Sequence, residues 1–112
     1  MSITRLSIII PAYNEGDTIH LILNKLKTIE LMNGIQKEII VVNDCSTDHT
    51  ERAITNYRQA NPEVNIRYFK HEVNKGKGAA LHTGIANATG EYLIIQDADL
   101  EYDPEEYQVL LK

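Results

Sequence analysis

The 112-residue sequence has no tryptophan, one phenylalanine and one cysteine, Cys45. A single cysteine excludes an internal disulfide and suits a reducing compartment. No apolar run approaches the ~18–20 residues needed to span a bilayer, and Pro11 interrupts the first one, so neither a transmembrane segment nor a signal peptide is expected. Positive charge is also short. Eleven Lys and Arg against 16 Asp and Glu leave a net charge of −5. That excludes the basic face required for nonspecific nucleic-acid binding. No Gly-x-Gly-x-x-Gly follows the first apolar run, which argues against a dinucleotide-dependent dehydrogenase. His20, His49, His71 and His82 lack metal-ligand spacing and read as surface or packing residues. Cys45 has no histidine partner evident in the sequence and reads as an inert small residue. The location these absences imply is cytoplasmic, extending to the cytoplasmic face of a membrane if the substrate is membrane-bound.

What is present is ordinary for a single globular domain: 43% hydrophobic and 24% charged residues, on a chain long enough to bury a core. Leu6–Ile10 is a β-branched run that Pro11 ends, and it reads as a first strand buried on both faces. From Asp17 to about Glu30, Ile19, Ile22, Leu23, Leu26 and Ile29 recur at helical spacing, with Asn14 or Asp17 suited to cap that helix. Asn33-Gly34 breaks it. Glu38–Asn43 is a second strand, followed by a helix capped by Ser46 or Thr47, with Ala53, Ile54 and Tyr57 inward and Asn61-Pro62 as its end. Val64–Phe69 reads as an edge strand. Asn74–Gly78 turns into a third helix, Ala79–Ala88, and Tyr92–Ile95 reads as a short, fully buried fourth strand. Asp103, Pro104 and Glu106 form a helix start, and Tyr107–Lys112 opens an amphipathic helix that stops in mid-pattern, as in a piece of something longer.

Four alternations of strand and helix with continuously apolar strands predict an α/β fold, a parallel sheet in a three-layer α/β/α arrangement. Right-handed crossovers favour the strand order 3-2-1-4, with its switch point between the first and fourth strands. Ligands of such sheets bind beyond the carboxyl ends of the strands at that point. Four loops arrive there: Pro11–Gly16, Asp44–Asp48, Asn74–Gly78 and Gln96–Glu101. Asp97 and Asp99, one residue apart as a strand ends, form a candidate clamp for a hard divalent cation and a diphosphate, with Glu101 as a third oxygen ligand. Asp44 can accept an N–H of a nucleobase and Tyr13 offers it a ring. Lys75 and Lys77 would offset phosphate charge, and the helices after Glu15 and Gly78 offer amide donors for anions. Each loop also has a plainer reading. Asn74–Gly78 can be a flexible turn, and Asp44, Asp48 and the paired acids can be capping or turn residues.

Ser7–Glu15, Val41–Asp48 and Asp97-Ala98-Asp99 together resemble the family 2 glycosyltransferases, in motif order and over nearly the whole chain. Asn74-x-Gly76-x-Gly78-x-Ala80 with Asp97–Leu100 looks most like the branch that includes dolichyl-phosphate mannosyltransferases. The resemblance implies a GT-A, nucleotide-diphospho-sugar transferase fold, Rossmann-like and here truncated. It also implies inverting transfer of a sugar from a GDP- or UDP-sugar to an acceptor, for glycan or cell-envelope synthesis. By motif match, Pro11, Ala12, Tyr13 and Glu15 would contact the nucleotide, Val42 and Asp44 the base, and Lys77, Asp97, Ala98 and Asp99 the ribose and diphosphate. Asp97, Asp99 and Glu101 would hold the cofactor, a divalent metal, Mg2+ or Mn2+. The resemblance makes residues 1–112 the donor half. The acceptor half, with its lipid-phosphate or glycan acceptor and its catalytic base, would be missing, so no catalytic residue is assigned and little or no transfer is expected.

An unfinished sheet leaves an apolar edge, so a homodimer through that edge is expected. A noncatalytic nucleotide-binding or assembly module is the alternative reading. A phospho-acceptor signalling domain is disfavoured, because Pro11-Ala12-Tyr13-Asn14 stands where paired acids are required.

Overall fold

Continuous apolar strands call for cover on both faces, and the helices of this chain cover its two central strands from opposite sides. The computed structural model describes residues 5–29 and 34–98. Its elements are β1 (Arg5–Ala12), α1 (Ile19–Thr28), β2 (Gln36–Asn43), α2 (Thr50–Ala60), β3 (Ile66–Lys70), α3 (Lys77–Asn87) and β4 (Tyr92–Ile95). The strands form one parallel sheet in the order β3-β2-β1-β4, as the sequence predicts. Ile8 is central, in register with Ile39 on one side and Ile94 on the other. Among the described residues no helix is long and apolar enough to cross a membrane.

Alternation along β1 sends its side chains to two cores. Leu6, Ile8 and Ile10 meet Ile19, Ile22, Leu23 and Leu26 of α1 and Ile54 and Tyr57 of α2. On the opposite face, Ile40 and Val42 pack against Ala80 of α3. Gly84 lets α3 approach β1 closely: a Cβ there would stand 2.4 Å from Ile9 Cγ2. Ile9 is β-branched and fully buried, so it cannot step aside. Alanine would gain roughly 1 kcal/mol of helix propensity, whereas overpacking costs about 1–3 kcal/mol. Gly84→Ala is therefore expected to lower stability, by up to about 2 kcal/mol, in urea titrations; a more stable variant would count against this close approach.

At the amino ends of the strands a buried carboxylate ties the layers together. Glu38 accepts from Ser7 Oγ at 2.8 Å, Thr89 N–H at 3.0 Å and Thr89 Oγ at 2.7 Å. The Arg67 guanidinium lies 3.6 Å away. Burial alone would raise the pKa of Glu38, but the hydrogen bonds from Thr89 and Ser7 and the charge of Arg67 lower it on balance.

Several boundaries differ from the sequence reading. β1 continues through Pro11 to Ala12. Gln96 N–H donates to the Ile9 carbonyl at 2.9 Å. The next bond of a parallel ladder between β1 and β4 would need an N–H at residue 11, which proline lacks. Pairing with β2 uses the alternate residues of β1, and Ala12 still accepts from Asp44 N–H at 2.9 Å. Thus Pro11 ends pairing on one side only. β4 is not buried: Tyr92, Leu93 and Ile95 are 55%, 42% and 49% exposed. Among the described residues it pairs with β1 alone, and α3 packs over β1 and β2 instead. β3 is an edge strand, as expected, but spans Ile66–Lys70. Helices α1 and α2 start later, with Thr18 and His49 at their N-caps rather than Asn14, Asp17, Ser46 or Thr47. Helix α3 starts two residues earlier than expected. Asp99, Leu100, Glu101 and the helix read from Asp103 onward lie outside the described residues.

Candidate functional site

The β1–α1 and β2–α2 loops are built as a pair. Asn14 takes a left-handed conformation (φ 54°), and its Oδ1 accepts from Thr47 N–H at 2.8 Å and Asp48 N–H at 3.3 Å. In return, Asn14 N–H donates to Ser46 Oγ at 2.9 Å, Glu15 N–H to Thr50 Oγ at 2.9 Å and Gly16 N–H to Asp48 Oδ2 at 3.1 Å. Asp48 also accepts from the N–H and hydroxyl of Thr50. Burial would raise the pKa of Asp48, but the donors from Thr50 and Gly16 and the nearby His49 lower it on balance. This clasp corrects one expectation. The amides of Asn14, Glu15 and Gly16 donate to β2–α2 side chains, and those of Thr18 and Ile19 to the Glu15 carbonyl, so the start of α1 does not present them to an anion.

Asp44 organises the other side. It is 4% exposed, and Gly76 (φ 94°) lets the loop before α3 fold back over it. Oδ1 accepts from Lys75 N–H and Oδ2 from Gly76 N–H, each at 2.8 Å. His71 Nδ1 lies 2.8 Å from Oδ1, and its Nε2 lies 2.8 Å from Thr83 Oγ on α3. Burial would raise the Asp44 pKa, but the Lys75 amide, His71 and the Gly76 amide more than offset it and hold the carboxyl below its ordinary range. Asp44 is thus an ionised acceptor and no helix cap, and residues 74–76 are a pinned loop leading into α3. His71 is the residue that sequence spacing missed. It is 8% exposed and polar on both sides of its ring.

These loops open onto one cleft of about 310 Å³ between the carboxyl ends of β1 and β4. Pro11, Ala12, Tyr13 and Glu15 line one side, Asn74, Gly76, Lys77 and Ala80 another, with Asp44, Asp97 and Ala98 completing it. Of the residues singled out from sequence, Val42 lies beneath the wall, packed on Ala80. Tyr13 is 46% exposed, so its ring face is available. Lys77 Nζ stands 2.6 Å from Asp97 Oδ1. Larger hollows of about 640 and 780 Å³ lie around Glu63–Asn65 and gather none of these loops. Among the described residues no three His, Cys, Asp or Glu side chains form a metal-holding group. The Asp97 carboxylate nonetheless carries a cation already, the Lys77 ammonium.

A parallel sheet in the order 3-2-1-4, with carboxylates and a lysine gathered at its switch point, defines a Rossmann-like domain of the GT-A class. The chain belongs to glycosyl transferase family 2, whose family model matches residues 7–112. It is 38% identical over 101 residues to a dolichyl-phosphate beta-glucosyltransferase of Dictyostelium discoideum, covering 84% of this chain and 30% of that protein. It is 37% identical over 112 residues to dolichyl-phosphate beta-glucosyltransferase ALG5A of Trichomonas vaginalis, covering 96% of this chain and 34% of that protein. Among solved structures it resembles the mannosyltransferase PcManGT of Pyrobaculum calidifontis in complex with GDP-Man and Mn2+ (TM-score 0.80, 29% identity, 91% of this chain and 29% of that one). S. aureus TarS 1-349 in complex with UDP-GlcNAc is similar at the same TM-score of 0.80 and 29% identity, over 96% of this chain and 30% of that one. The chain therefore spans about a third of the length of the relatives it matches.

Proposed function

We propose that this chain binds the nucleoside-diphosphate part of a nucleotide sugar, as the donor-binding part of a metal-dependent, inverting glycosyltransferase. The observation that carries the reading is the convergence of Tyr13, Asp44, Lys77 and Asp97 on one cleft at the β1/β4 switch point. An ionised carboxylate offers about four lone-pair sites, and three of those on Asp44 are occupied by Lys75, Gly76 and His71. One acceptor site is left for a base N–H, in the same cleft that Tyr13 lines. Uracil and guanine both present such an N–H.

Asp97 would hold the divalent cation together with Asp99 and Glu101, oxygen ligands of the kind that Mg2+ and Mn2+ take. The pairing of Asp97 with Lys77 fits that role, since the carboxylate already faces a positive charge at 2.6 Å. The cation, when bound, would neutralise a nucleoside-diphosphate leaving group during single displacement at the anomeric carbon. Lys77, released from Asp97, would then face the phosphates. No acceptor base is assigned among the described residues.

Calorimetric titration of GDP and UDP, each with and without Mn2+, tests the reading. Metal-dependent binding of one nucleotide is expected, and its loss by about 100-fold in Asp97→Ala, the scale of removing a charge-assisted contact. Binding of neither nucleotide would overturn the assignment.

A further inference from the structure

Beyond the cleft lining, the structure assigns a role to a residue that does not reach the cleft. We propose that His71 is a positioning residue for the nucleotide site: it fixes the Asp44 carboxylate and, through it, the segment 75–77, whose Gly76 and Lys77 line the cleft. This rests on the reading of the cleft as a nucleotide site.

His71 lies one residue past β3, and its N–H still donates to the Asn43 carbonyl at 2.9 Å, extending the β2–β3 ladder. Its backbone is thus set by the sheet. Its ring bridges what the sheet does not hold. An ionised carboxylate only accepts, so Nδ1 carries the proton toward Asp44 Oδ1. In the neutral ring Nε2 then accepts from the Thr83 hydroxyl. A single side chain therefore joins the end of β2, through Asp44, to the second turn of α3, through Thr83. Asp44 in turn holds the Lys75 and Gly76 amides. The residues that follow, Lys77 and Ala80, line the cleft.

Two consequences follow for the ligand. With Oδ1 shared between His71 and Lys75, the carboxylate cannot rotate about its Cβ–Cγ bond, so its remaining acceptor site keeps one direction. With α3 held through Thr83, the Lys77 ammonium keeps its reach to Asp97. Supporting residues of this kind typically change affinity or activity by about 10–100-fold when removed.

The test compares two polar replacements. His71→Asn puts an amide donor where Nδ1 stood and so keeps the bond to Asp44. His71→Gln keeps more of the volume and can reach Thr83, but places no donor at the Nδ1 position. Nucleotide titration with Mn2+ and amide hydrogen exchange at Lys75 and Gly76 are measured on the wild-type chain and both variants, beside thermal unfolding. The expected result is affinity within about threefold of wild type for His71→Asn and a loss of 10-fold or more for His71→Gln, with faster exchange at Lys75 and Gly76 in the glutamine variant only. A residue that merely filled the space would give the opposite order, because glutamine fills it better. Equal affinities and equal exchange in the two variants, or asparagine as the worse of the two, overturn the proposal. If the wild-type chain binds neither nucleotide, the reading of the cleft falls. The exchange rates at Lys75 and Gly76 then decide the role of His71 by themselves. Should His71→Gln not fold, His71→Leu at reduced temperature takes its place, with the same expected loss and the same overturning result.

Discussion

Replacement of Asp44 by alanine is expected to remove about 3 kcal/mol of stability and to abolish nucleotide binding together. The carboxylate accepts from three donors, two of them backbone amides of one loop. Hydrogen bonds to a charged group contribute about 1.5–3 kcal/mol each, but the exposed Lys75 side of the loop can rehydrate, which holds the total near the cost of one or two such bonds. Against a whole-domain stability of about 5–15 kcal/mol this is a large fraction, and it corresponds to a drop in Tm of roughly 10 °C. Asp44→Asn is no remedy, because its NH2 group would face either the His71 donor or the Gly76 amide. Thermal unfolding and calorimetry on both variants check this. A stable Asp44→Ala chain with its 75–76 amides still protected would show that the loop holds itself.

The second large effect is with acid. Asp44 and Glu38 are buried and Asp48 lies exposed in its loop; the desolvation each carboxylate does undergo would on its own raise its pKa. Each is brought below its ordinary value by the donors around it, and by His71, His49 and Arg67 respectively. When the folded pKa is the lower one, the unfolded chain takes up protons first as pH falls, so acid favours unfolding. The stability these groups contribute is complete above about pH 5 and is lost as pH drops through roughly 4 and below. Each extra proton taken up on unfolding adds up to about 1.4 kcal/mol per pH unit to the slope. Three such groups acting together give a steep loss between about pH 4 and 2. Urea midpoints measured from pH 7 down to 3 are expected to be level and then fall, with Asp48→Asn showing a shallower fall from a lower start. A midpoint that stayed level to pH 3 would mean that these carboxylates are not held as described.

Much of this was legible in the sequence because it is periodic or adjacent. Ile19, Ile22, Leu23 and Leu26 announce the face of α1, and unbroken apolar runs announce a parallel sheet and hence the edge at which Asp44 and Asp97 emerge. His71 was not legible. Its partners lie 27 and 12 residues away, and no local pattern distinguishes a histidine that bridges them from one on the surface. The clasp of Asn14 on Thr47 and Asp48 spans 33 and 34 residues, so the loop residues read as helix caps were instead partners of one another. The exposure of β4 was missed for a different reason. An apolar run has the same composition whether or not a helix lies over it, and α3 lies over β1 and β2.

Pro11 has one more effect. The seam between β1 and β4 stops at the bond from Gln96 N–H to the Ile9 carbonyl because the next donor does not exist in the covalent structure. Residue 97, which would otherwise lie opposite Pro11 in the ladder, leaves the sheet there, and its carboxylate turns to Lys77. The loss of that rung is written into the covalent structure: no Pro11 N–H exists to pair with the Gln96 carbonyl. A residue with an N–H at position 11 would restore the donor for one further rung opposite residue 97, on the side of the sheet where the Asp97 carboxylate now meets Lys77.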